Sequence, residues 1–153
     1  MRNSKNILRK GFTLVELLIV IVVIGILSAM MMLSSTEATT SAKAAAIVSN
    51  LRNIKTAALA FYADNQSETD LDSSDVVKYL KDGGGDLGTG YDAKNATSGD
   101  WYALYDISKE GTATEQAKIK QKLQDRAAQT GLTTNTTQAV YDGNDNVVGM
   151  YIR

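Results

Sequence analysis

The stretch with the most chemistry in it is Gly11-Phe12-Thr13-Leu14-Val15-Glu16. Glycine at position 11 leaves the bond to Phe12 easy for a protease to hold in an extended backbone. Glu16 stands one turn into a long apolar run, where a charge at the centre of a bilayer costs at least about 2.5–3.5 kcal/mol. Two roles for that carboxylate are open. It satisfies the N-terminus and dipole of its own helix, worth about 0.3–1 kcal/mol. Alternatively it meets a cation from a second molecule, and in a dry setting leaving either partner alone is costly.

Composition removes most other chemistries. The 153 residues contain no His, no Cys and no Pro. The commonest general base and metal ligand, the Cys nucleophile, the Ser-His-Asp triad and the zinc site are therefore absent, and no disulfide can form. No cofactor is expected. Asp142 and Asp145, with Asn144 and Asn146, are a weak oxygen set for Ca²⁺. Their spacing is not that of an EF-hand, and the same residues are ordinary turn formers. The Gly83–Gly88 segment fits G-x-G-x-x-G in letters only, lacking a preceding strand, and reads as a connector. Trp101, Tyr102 and Tyr105 read as sheet core and edge rather than a ligand platform. Lys118, Lys120, Lys122 and Arg126 read as a solvated basic face, with contact to another subunit's acids such as Asp70, Asp72 and Asp75 as the alternative.

The elements that must position these residues are legible in the same pattern. Arg2, Lys5, Arg9 and Lys10 give the first 11 residues a charge of +4, while residues 12–153 hold 12 basic and 17 acidic groups, a net −5. From Leu17 to Leu33 no residue is charged. Counted from Phe12, the run of 22 residues would span roughly 33 Å as a helix, against a bilayer core of about 30 Å. A basic end followed by an apolar helix and an acidic body describes a membrane-inserted chain with its N-terminus in the cytoplasm. A simple secretory signal is the competing reading, but its apolar core is usually shorter. The overall balance, −1, gives no reason to expect nucleic acid as a partner.

Nothing between Leu33 and Ser34 stops a helix, and neither Gly nor Pro occurs from Ser34 to Asp64. Ile47, Leu51, Ile54, Ala58 and Phe61 recur at spacings of three and four, one helical face. The expectation is an α+β fold: a long N-terminal helix, transmembrane at first and amphipathic later, packed on a small antiparallel sheet. Residues 1–11 form a basic leader, 12–33 the apolar helix, 34–64 its amphipathic continuation and 65–153 a globular head. Within the head, Ser73 or Ser74 caps a short helix and Trp101–Ile107 is a strand. Thr114–Gln129 is a second helix with Ala117, Leu123 and Ala127 inward and Gly131 as its stop. Gln138–Tyr141 and Val147–Ile152 form a C-terminal hairpin.

Gly11-Phe12, Glu16 four residues after the Phe, the short basic leader and the apolar helix together resemble the N-terminal signal of type IV pilins and type II secretion pseudopilins. The resemblance covers residues 1 to about 64. It implies that a prepilin peptidase cuts between Gly11 and Phe12 and N-methylates Phe12. It further implies that an inner-membrane assembly platform draws subunits from membrane lipid into a helical homopolymer, with minor pilins, outside the cytoplasm. In that filament Glu16 would meet the new amino group on a neighbour's Phe12. Leu33 stands where these families often carry a proline, so helix loosening is expected at Gly25 instead. The resemblance leaves open a pilus subunit, a major pseudopilin or a competence-type pilin. A membrane-tethered binding domain is the remote alternative.

Overall fold

A computed structural model describes residues 11–80 and 87–153. The basic leader residues before Gly11 and the Gly83–Gly85 connector lie outside the described residues. The chain divides into two compact units, Met1–Ala38 and Thr39–Arg153. Helix α1 runs without a break from Leu14 to Asp64, passing through Gly25 and Leu33. It is followed by α2 (Ser73–Val77), β1 (Tyr91–Asn95), β2 (Trp101–Asp106), a 3₁₀ turn (Ile107–Lys109), α3 (Ala113–Thr130), β3 (Leu132–Thr134) and β4 (Val147–Tyr151). This is an α+β arrangement.

In the C-terminal unit the four strands form one antiparallel sheet in the order β1-β2-β4-β3. The register puts Tyr105 opposite both Tyr91 and Val148, and Ala103 opposite both Ala93 and Met150. Because side chains alternate across a strand, Trp101, Ala103 and Tyr105 share one face with Val148, Met150 and Ile152. That face is buried in one apolar cluster with Ala44, Ile47, Leu51, Ile54, Ala58 and Phe61 of α1 and with Ile119, Leu123 and Ala127 of α3.

The buried positions on α1 begin earlier than the apolar pattern suggests. Thr40 and Ala44 extend the series 47, 51, 54, 58, 61 back by one heptad, and Val48 and Ala57 flank it. The stripe is small at its start and large at its end, where Phe61 and Tyr62 meet Trp101 with ring centroids 6.1 and 5.6 Å apart.

Three sequence expectations need correction. The N-cap of α2 is Asp72, not a serine; Ser73 Oγ instead donates to Asp92 Oδ1 and accepts from the Ala93 N–H, tying α2 to β1. The inner face of α3 is Ile119, Leu123 and Ala127, whereas Ala117 is exposed. Positions 119, 123 and 127 stack at intervals of four; residue 117 lies on the far side of the helix. Residues 91–95, which the sequence does not mark as a strand, form the edge strand β1.

The C-terminal hairpin is also different. Residues 138–141 do not pair with β4. They fold back along the outer edge of β3, with Thr134 N donating to Ala139 O and Tyr141 N to Leu132 O. This satisfies backbone groups on β3 that would otherwise face no partner. It also drives Tyr141 inward, to 1% exposure, with its hydroxyl donating to Asp145 O at 2.8 Å. The stop of α3 is Gly131, at φ 73°, where a side chain would be strained.

Candidate functional site

Gly11, Phe12 and Thr13 are exposed and non-helical, and α1 begins at Leu14. The helix start is closed by a reciprocal pair. Glu16 N donates to Thr13 Oγ1 at 3.2 Å, while Thr13 N donates to Glu16 Oε2 at 2.8 Å. Thr13 Oγ1 also donates to Glu16 Oε2 at 2.8 Å. Thr-x-x-Glu is the capping box, which satisfies amide donors that the first helical turn leaves without partners. Glu16 therefore has a local role in the single chain, one of the two left open by the sequence. Both bonds land on Oε2, and Oε1 stands outside the box.

Beyond this cap none of the described large apolar side chains of the N-terminal unit is buried. From Phe12 to Met32 each is between 48 and 89% exposed. Apolar exposure on this scale marks a protein or membrane contact surface. Among the described residues α1 is the one helix long and apolar enough to cross a membrane. Gly25 sits inside this stretch, and a methyl group added there would touch nothing in the chain.

The C-terminal unit holds the later part of α1 by polar clamps as well as by the apolar stripe. Lys43 Nζ donates to Glu115 Oε1 at 2.6 Å and to Glu110 Oε2 at 3.0 Å. Glu110 Oε1 accepts from the Tyr105 hydroxyl at 2.6 Å, and the Tyr105 ring lies 4.4 Å from that of Tyr91. Tyr91 in turn accepts from Asn50 Nδ2 at 3.0 Å. The Tyr105 hydroxyl, then the Lys43 ammonium, hold the Glu110 carboxyl below its ordinary pKa. Glu115, then Glu110, push Lys43 above its own. Further along, Lys55 Nζ donates to Tyr151 O at 2.7 Å, and the Arg153 guanidinium lies between the Tyr62 and Trp101 rings at 4.0 and 4.3 Å. No sequence pattern signals these clamps, because Lys43, Asn50 and Lys55 merely lie off the apolar face; their partners are 41 to 96 residues away.

The remaining candidates do not assemble into a site. Asp142 accepts from the backbone N–H of Asn144 at 3.0 Å and from its side-chain amide at 2.7 Å, a closed turn that holds the carboxyl below its ordinary pKa. Asp145 contributes its backbone oxygen to Tyr141. Among the described residues no three acidic side chains converge as a metal set.

No curated protein and no solved structure matches the chain. A family model does match: the prokaryotic N-terminal methylation motif, over residues 8–32. The match spans the Gly11-Phe12 step, the Thr13–Glu16 cap and the exposed apolar helix. It supports a structural, pilin-like or pseudopilin subunit in general, made as a membrane-anchored precursor and processed by a prepilin peptidase. Residues 8–32 of this chain are thus the prepilin signal shared by type IV pilins and pseudopilins.

Proposed function

We propose that the chain is a structural subunit, without catalysis of its own, that polymerises through α1 into a type IV pilus-like filament. Cleavage between Gly11 and Phe12 removes the leader, and methylation falls on the Phe12 amine. Residues 12–33 hold the precursor in the inner membrane with its N-terminus in the cytoplasm, then pack among copies of themselves. Residues 34–64 continue the helix, and residues 65–153 form the head outside the cytoplasm. A membrane assembly platform and minor pilins complete the set of partners.

The observation that carries this reading is the position of the scissile step. Gly11-Phe12 is non-helical and exposed, and the first helical turn closes just after it, so a protease reaches the bond without unwinding α1. Cleavage creates a cation on Phe12, one residue from the Thr13–Glu16 box. Glu16 Oε1, outside the box, is the acceptor we assign to the Phe12 amine of a neighbour. Such a pair, formed among apolar helices, fixes register as well as attraction, since a mismatched neighbour leaves two uncompensated charges.

A pilus, a secretion pseudopilus and a competence filament share this mechanism. A tethered binding domain would be expected to hang from a flexible linker, whereas here α1 is unbroken helix to Asp64. The test is the mass of the mature N-terminus together with imaging of the cell envelope. A chain beginning at methylated Phe12 and found in filaments is expected. An intact Met1 on a dispersed envelope protein overturns the proposal.

A further inference from the structure

One flank of α3 carries a row of half-buried cations with no ion-pair partner among the described residues. Lys118, Lys122 and Arg126 follow at intervals of four, one above the next, beside the buried Ile119, Leu123 and Ala127. Lys120 points to the other side, where its Nζ donates to Asn144 O at 3.2 Å. None of the three in the row makes an ion pair or hydrogen bond within the described residues. Like charges at this spacing weaken a helix, so the row is a cost to the single chain.

The complement lies elsewhere in the same unit. Residues 64–75 hold Asp64, Glu68, Asp70, Asp72 and Asp75 and no base, which equals the whole net −5 of residues 12–153. Asp64, Glu68, Asp70 and Asp72 are exposed. Glu68 and Asp75 also line an open cleft of about 490 Å³, together with Phe61, Asn65, Lys78 and Tyr79. The one cation among those lining residues, Lys78, is already drawn to Asp75 at 3.4 Å.

Among the described residues no ion pair joins the two patches within one copy. The acidic segment is tied to β1, through Leu71 N to Asn95 Oδ1 and Ser73 Oγ to Asp92. Helix α3 runs through Gly131 directly into β3. In the order β1-β2-β4-β3 these strands are the opposite edges of the sheet, three strand spacings or roughly 14 Å apart. Two complementary patches at different places on one surface can make a heterologous contact, which closes into a ring or, where the rotation does not close, propagates into an open helical polymer.

We propose that the Lys118–Lys122–Arg126 row of one copy docks on the 64–75 segment of the next, with a basic side chain entering the Glu68–Asp75 cleft. This rests on the filament reading above and names the surface by which heads recognise one another.

The test is a charge swap in the full chain, expressed in its own host in place of the wild type. Lys118→Glu with Lys122→Glu, and separately Glu68→Lys with Asp72→Lys, are each expected to lower surface filaments about tenfold or more while processing at Gly11 proceeds normally. All four substitutions together should restore filaments, which a simple folding defect would not do. Filaments unchanged by either pair, or a fourfold variant as poor as the two double variants, overturns the docking. Loss of binding to a soluble polyanion with filaments intact does so too, and assigns the row to an anionic polymer. If the wild type itself is processed but forms no filament, the filament reading falls and this inference with it.

Discussion

Glu16 is engaged within the single chain, and that lets the cap be separated experimentally from the intersubunit role proposed for it. Glutamine at the third helical position still closes a capping box but carries no charge. Glu16→Gln should therefore insert and be cleaved normally yet fail to build filaments, as should Glu16→Ala. Filaments from the Gln variant alone would reduce Glu16 to a cap. A second residue-scale case is Glu110. Its carboxyl is lowered in the fold, so its contribution is present above the unfolded value of 4.5 and is lost as pH falls through the folded one. Lys43 is raised, so its contribution is complete below 10.5 and is lost as pH rises through the folded value. Tyr105→Phe removes the hydroxyl bonded to Glu110 and should cost about 1.5 kcal/mol at neutral pH. Denaturant melts should show this difference shrinking below pH 4.5.

At the scale of elements, α1 is one helix with two environments. Leu51 is fully buried and Leu18 is 58% exposed. Leu51→Ala should cost about 2–5 kcal/mol of head stability. Leu18→Ala should leave that stability unchanged in the detergent-solubilised precursor; an equal loss in both would mean that the apolar half is part of the folded core. The sheet has its own tight point at Gly149. A side chain there would press on Asn135 O, on Thr133 Oγ1 at 2.9 Å and on Leu104 Cδ2 at 3.0 Å. Asn135 O is backbone, which cannot move aside as the end of a flexible side chain would. Gly149→Ala should destabilise by about 1–3 kcal/mol, read from the same melts. A neutral result would show that β3 is free to slide outward.

At the scale of the molecule, the buried apolar side chains among the described residues run from Ala44 to Ile152, within the C-terminal unit. A chain beginning at Thr39 should therefore fold cooperatively as a soluble monomer, with a thermal midpoint matching that of the head in the detergent-solubilised precursor. A molten or aggregated fragment would place essential packing in the first unit. On the same division, the proposed assembly and the stability of the head should respond to different substitutions: the former would use apolar surface the described single chain leaves open, the latter surface it has already closed.

Local features were legible from the order of residues alone. The Gly11-Phe12 step, the first-turn Glu16, the uncharged run and the three-and-four spacing of α1 are each contained within a few helical turns, and a helix is satisfied by its own neighbours; the part of Thr13 in the cap came only with the structure. The rest waited on packing, because a strand's partners are distant in sequence. Leu132–Thr134 is too short to carry a periodic signal, and it captured residues 138–141, whose composition suits pairing with β4 equally well. Tyr91–Asn95 became a strand because α2 and β2 flank it. Lys43 found Glu110 and Glu115 only once the sheet had brought α3 against α1, an arrangement no window along the chain contains.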